Sequence, residues 1–219
     1  MNFAQARTNM VDGQIHTAGV VSPAILSAFE NTPREIFVPE KTKDIAYSDK
    51  DVSISRTRFL MEPMIHAKII QAIQPQSTDV ALDIAVGTGY SSAILSTLVT
   101  TVVALEADQK QIDKAAKQWN SLSACNIVGM TGDLTKGVPE QAPFNIIIIN
   151  GAVEHIPQAL IDQLAEGGRL MTIVRKKGAH KGTVTLVQRS AENNFTTLPL
   201  FDAAVPLLPE FKVKEDFSF

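Results

Sequence analysis

The sequence is short of cysteine, of long apolar runs and of excess charge of either sign. Cys125 is the only cysteine in 219 residues, which excludes an intrachain disulfide. It follows a predicted helix with no histidine close by, so it reads as a small core residue rather than a nucleophile. No apolar stretch is long enough to span a membrane, and Met1 to Ala18 mixes acidic, basic and polar residues where a secretory leader would be apolar. A cytoplasmic protein without a membrane partner is the resulting expectation. A formal net charge of −3 and a pI near 5.8 argue against a general nucleic-acid binder, which is normally basic. The one basic stretch, Arg175-Lys176-Lys177 with His180 and Lys181, reads as a solvated loop among glycines. His16, His66 and His155 are scattered, with no histidine–carboxylate constellation and no expected metal site.

What remains is an ordinary globular composition, 45% hydrophobic and 20% charged, long enough for one large domain with a sizeable core. Up to about Lys50 the apolar positions Met10, Ile15, Ile25, Leu26 and Phe29 recur at helical spacing, and Ser22-Pro23 is a helix start. Pro33 and Pro39 bracket a short irregular segment, and a helix is predicted from Met64 to Ile73. Strands then alternate with helices. Val80–Ala85, Thr101–Leu105, Asn126–Met130, Phe144–Asn150, Arg169–Val174 and Thr183–Gln188 read as strands. Tyr90–Leu98, Gln109–Leu122 and Pro157–Leu164 read as helices, the last capped at Gly167-Gly168. The run Ile146-Ile147-Ile148-Ile149 needs burial on both faces, as in the central strand of a parallel sheet. The pattern predicts an α/β, doubly wound, Rossmann-like sheet. Residues 1–62 would form a helical cap and linker, 63–190 the core, and 191–219 a C-terminal strand and extension.

In such a sheet ligands bind beyond the carboxyl ends of the strands, where the strand order reverses. Asp83-Ile84-Ala85-Val86-Gly87-Thr88-Gly89 lies there. Small residues at Ala85, Gly87 and Gly89 let the backbone turn tightly and approach a ligand, and the following helix offers free N–H groups. Glu106, at the tip of the next strand, can accept both hydrogens of a ribose diol. Asp133 after the third strand could accept from an adenine amine, with Leu134 against the base; an Asx turn is the competing role. Together these describe a nucleoside pocket. Ser92 stands where a dinucleotide fingerprint has its third glycine, and Asp83 suits a positively charged aminoacyl-sulfonium better than a pyrophosphate.

Several stretches resemble the protein-L-isoaspartate O-methyltransferases. They are Met10-Val11-Asp12-x-Gln14-Ile15, the linker Thr32-Pro33-Arg34-Glu35-x-Phe37-Val38-Pro39 with Ala46-Tyr47-Ser48-Asp49, the loop Leu82 to Ala93, and Asn150-Gly151-Ala152 through Ile156-Pro157-Gln158-Ala159-Leu160 to Gly167-Gly168-Arg169-Leu170. The resemblance implies a Rossmann-like methyltransferase sheet with an N-terminal helical cap. It also implies S-adenosylmethionine as cofactor and isoaspartyl residues of damaged proteins as acceptors, methylated on the α-carboxylate. Asn150 and Ala152 would then lie on the substrate side.

One segment departs from the family. Anchored on Pro63, Thr57-Arg58-Phe59-Leu60-Met61-Glu62-Pro63 replaces Gly-Gln-Thr-Ile-Ser-x-Pro, so Met61 falls on the family's active-site serine. A thioether makes no strong hydrogen bond. Losing one bond to a charged acceptor costs about 1.5–3 kcal/mol, or roughly ten- to a hundred-fold in rate if it acts in the transition state. Thr57 could supply a hydroxyl from a shifted position, and Arg58 or Arg56 could hold a carboxylate. Ala85 also replaces a glycine, which is tolerable if its φ is negative. A same-lineage methyltransferase with another acceptor, or a non-catalytic protein retaining the fold, are the alternatives.

Overall fold

A computed structural model describes residues 1–191 and 194–213. The first helix, α1 (Phe3–Met10), is capped by the Asn2 side chain, which accepts from the Gln5 N–H. The second, α2 (Pro23–Asn31), starts with proline in its first turn and buries Ile25, Ala28 and Phe29. After short 3-10 turns at Arg34–Phe37 and Glu40–Ile45, a small hairpin pairs β1 (Val52–Ser53) with β2 (Phe59–Leu60). This hairpin is not legible along the chain, because two-residue strands carry no readable period. Pro63 then opens α3 (Pro63–Ile73), whose apolar side is buried.

The alternating part follows as β3 (Val80–Ile84), α4 (Tyr90–Ser96), β4 (Thr101–Glu106), α5 (Gln109–Ser121), β5 (Ile127–Thr131), β6 (Phe144–Val153), α6 (Gln158–Ile161), β7 (Leu164–Val174), β8 (Gly182–Arg189) and β9 (Phe195–Ala203). These strands form one seven-stranded sheet in the order β5-β4-β3-β6-β7-β8-β9. The strands from β5 across to β7 are parallel, while β8 and β9 each run antiparallel to their neighbour. Strand order therefore reverses at β3, which lies between β4 and β6.

The isoleucine run alternates across β6. Ile146 and Ile148 join the core beneath the N-terminal helices, α3, α4 and α5; Ile147 and Ile149 join the core on the opposite face. Full burial of each such side chain contributes about 1.5–3 kcal/mol, as an upper estimate.

Three expectations are corrected. The helix predicted to run to Leu164 stops at Ile161, and Leu164 already pairs with Phe144 in the sheet. The Gln163 side chain turns the chain by donating to the Lys136 and Ala159 carbonyls and accepting from the Val138 N–H. Gly168 serves a close backbone crossing rather than a helix cap, since a Cβ there would lie 2.7 Å from the Ala165 carbonyl and 3.0 Å from that of Phe144. Cys125, expected in the core, is exposed. No helix among the described residues is long and apolar enough to cross a membrane.

Candidate functional site

The carboxyl ends of β3 and β4 bring the turn at 85–89 against Glu106. At the end of β3, Asp83 is fully buried and accepts from the Ser91 hydroxyl at 2.9 Å, the Ser92 hydroxyl at 2.6 Å and the Asn150 amide at 2.7 Å. Burial pushes its carboxyl up to about 6, and the bonds from Ser92, Asn150 and Ser91 pull the other way. Ser92, the residue that breaks the dinucleotide fingerprint, is thus a partner of this buried acid. Asn150 also donates to the Ile84 carbonyl at 3.0 Å, tying β6 to the turn.

Ala85 has a φ of 61°, which corrects the expectation of a negative value. Its N–H donates to the Leu105 carbonyl, so the ladder between β3 and β4 holds it in a left-handed conformation that costs a non-glycine residue about 1–2 kcal/mol. Gly89, at φ 89°, needs its hydrogen for a second reason. A Cβ would lie 2.5 Å from Nε1 of Trp119, which donates to the Gly89 carbonyl at 2.8 Å from its place on α5. Gly87, at φ 56°, is covered from the other side by Ile54 of the hairpin.

Glu106 is almost completely buried and surrounded by donors. The Gly87 N–H donates to its Oε2 at 2.9 Å and the Ala107 N–H to its Oε1 at 2.7 Å. Arg58 fills the remaining positions, with Nη2 on Oε1 at 2.6 Å and Nε on Oε2 at 2.9 Å. That guanidinium also reaches Glu210 at 2.9 Å. Burial alone would lower the pKa of Arg58; the bonds to Glu106 and Glu210 outweigh it and raise the value, keeping the guanidinium charged. Arg58, which could hold a carboxylate, pairs in this structure with two carboxylates of the chain itself.

The other sequence candidates sit at different distances from this centre. Asp133 is exposed and closes an Asx turn, accepting from the Thr135 N–H at 3.0 Å and its hydroxyl at 2.7 Å; those bonds hold its carboxyl below the usual range. Leu134 is buried in the second core. Ala152 is fully buried beneath the C-terminal segment, its N–H donating to Pro206 and its carbonyl accepting from Leu208. Thr57 is half-buried in the hairpin turn, its carbonyl accepting from Arg58. Met61 is buried, and its carbonyl accepts from Arg34 Nη2 at 2.7 Å.

Arg34, Trp119, Ile54 and Glu210 escaped the reading of the sequence. Arg34, fully buried, donates also to the Ala46 carbonyl at 2.6 Å and lies over the Tyr90 ring at 5.0 Å from its centroid; the signal was an arginine inside an apolar, proline-bounded segment. Beside it, burial and the Arg34 charge push the His66 imidazole down to about 3, leaving it neutral. Trp119, Ile54 and Glu210 gave no local signal, since each matters only through a long-range contact.

The sequence model of the protein-L-isoaspartate(D-aspartate) O-methyltransferase family matches residues 5–204. Among relatives, protein-L-isoaspartate O-methyltransferase 1 of Rhodopseudomonas palustris is 34% identical over 88% of this chain and 78% of its own length. The protein-L-isoaspartate O-methyltransferase of Methanoculleus marisnigri is 34% identical over 94% of this chain and 92% of its own. Two solved structures share the fold. A protein-L-isoaspartate O-methyltransferase matches at TM-score 0.80 and 23% identity, over 91% of this chain and 64% of that one. A Plasmodium falciparum structure assigned to the same activity, in complex with S-adenosyl-L-homocysteine, matches at TM-score 0.74 and 18% identity over 96% and 99%. Matched along nearly its whole length, the chain belongs to the protein-L-isoaspartate(D-aspartate) O-methyltransferase family.

Proposed function

We propose that this protein is an S-adenosylmethionine-dependent methyltransferase that esterifies the α-carboxylate of isoaspartyl residues in damaged proteins. The observation that carries the reading is the contact between the 85–89 turn and Glu106, in which Gly87 and the acid meet at the ends of adjacent parallel strands, within a chain that belongs to this family. Asp83, Ala85, Gly87, Gly89, Glu106, Asp133 and Leu134 are the residues we assign to the cofactor, with Asn150 and Ala152 toward the acceptor. The donor chemistry fits that group. Buried acids stand at two neighbouring strand tips, one under the turn for a cationic end and one for a diol.

The cofactor supplies an electrophilic methyl group on a sulfonium. Asp83 is largely ionised at neutral pH and places negative charge beneath the turn. An acceptor carboxylate is already ionised at pH 7, so the chain needs no general base, and in-line positioning carries most of the catalysis. The acceptor groove in this reading runs between the hairpin and Pro206, Leu207 and Pro209, with Arg56 exposed at its edge. Because Met61 offers no hydroxyl, a different acceptor is the second reading. A cytoplasmic location belongs to the same proposal, and recovery of the protein in a secreted fraction would count against it.

Transfer of labelled methyl from S-adenosylmethionine to an isoaspartyl peptide, compared with its aspartyl twin, tests the reading. Labelling of the isoaspartyl peptide alone is expected. No labelling by protein that still binds S-adenosylhomocysteine would sink the isoaspartyl assignment and leave another acceptor.

A further inference from the structure

Glu106 has four lone-pair positions, and all four are engaged by Arg58 Nη2, Arg58 Nε, Gly87 N–H and Ala107 N–H. A ribose diol needs two of them. The two backbone donors belong to the turn after β3 and to the residue following β4, so a diol and the Arg58 side chain compete for the remaining positions. The same hairpin places Ile54 on Gly87, within 2.5 Å of where a Cβ would stand, so it covers both the diol acceptor and the middle of the turn.

The hairpin is short. It has only two residue pairs, Val52 with Leu60 and Ser53 with Phe59, and its turn is closed by Ile54 and Ser55 N–H groups donating to the Arg58 carbonyl. A two-stranded ribbon of this size is marginal without outside contacts. Val52 and Leu60 seat its base in the core, while Ile54 and Arg58 hold its tip, and Arg58 reaches both Glu106 at the sheet and Glu210 in the C-terminal segment.

We propose that the β1–β2 hairpin is a latch on the nucleoside pocket, with Arg58 held by Glu106 and Glu210 in competition with the cofactor's ribose. This rests on the cofactor reading above. Binding then requires Arg58 to leave Glu106, and the apparent affinity is the intrinsic one scaled by the fraction of molecules with the latch open. Glu210 acts at a distance from the pocket, as the second anchor of the guanidinium.

Calorimetric titration of the wild type and of Arg58→Gln, Arg58→Ala and Glu210→Gln with S-adenosylhomocysteine tests the latch. Melting curves and far-ultraviolet circular dichroism establish that each variant is folded. Both Arg58 variants are expected to bind at least roughly ten-fold tighter than wild type, and Glu210→Gln several-fold tighter. Amide hydrogen exchange at Ile54 and Ser55 should speed up on saturation of the wild type with the ligand. Unchanged or weaker binding by folded Arg58→Gln and Arg58→Ala, beside a wild type that binds, overturns the latch and leaves the cofactor site standing. Slower exchange in the hairpin on saturation also overturns it. No binding by any variant up to about 1 mM ligand overturns the latch and the cofactor reading together.

Discussion

Replacing Asp83 by asparagine should change the pH dependence of stability in a way fixed by the sign of the Asp83 shift. The carboxyl is fully buried and its folded value is pushed up to about 6, from 3.8, chiefly by burial. Between these two values the folded chain binds a proton that the unfolded chain has released. Stability supplied by the protonated form is therefore complete below about pH 4, declines as pH rises, and levels off above about pH 6. A displacement of about two units corresponds to about 3 kcal/mol. Asparagine does not titrate, and the Asn150 amide can still donate to its oxygen, so the variant lacks this component while the other titrating groups are shared. The stability of Asp83→Asn minus that of wild type should rise by about 2 kcal/mol between pH 4 and pH 6.5. Urea unfolding at half-unit pH steps measures the difference. A difference constant to within about 0.5 kcal/mol, or one that falls as pH rises, would refute the reasoning. The second outcome would mean that Ser91, Ser92 and Asn150 stabilise the anion more than burial penalises it.

Gly89→Ala combines a left-handed backbone with a Cβ driven into the Trp119 indole. It should lose about 2–5 kcal/mol in urea unfolding, and a loss under about 1 kcal/mol would show that Trp119 yields freely. Arg34→Ala strips the Ala46 and Met61 carbonyls of their donor inside the core. A cost of about 3–5 kcal/mol is expected, read from the denaturant midpoint, and near-neutral behaviour would count against a structural clamp. Trp119→Phe keeps an aromatic ring but loses part of the indole's buried volume together with its bond to the Gly89 carbonyl; a loss of about 2 kcal/mol is expected, and thermal unfolding checks it.

Much of the site could be read along the chain because its parts are local. An apolar strand, small residues at its end and a helix start place the 85–89 turn, and Glu106 follows from the next strand's apolar run. Family motifs extended that reading to Asn150 and the linker. The isoleucine run announced a strand buried on both faces, and alternation confirmed it through period two.

The tertiary structure decided what no spacing encodes. Ala85 takes a positive φ because the β3–β4 ladder holds its N–H to Leu105; sequence supplies the residue but not the constraint. Gly168 looked like a helix cap because glycine signals turn and close crossing alike, and only the Phe144 and Ala165 carbonyls beside it tell the two apart. Cys125 looked like core by residue type, whereas its exposure depends on what packs beyond the end of α5. Above all, Arg58 reads locally as a loop charge with a carboxylate to find. That its partners are Glu106, 48 positions away, and Glu210, 152 positions away, is a property of the folded chain alone: charge attracts through space, and sequence separation does not enter Coulomb's law.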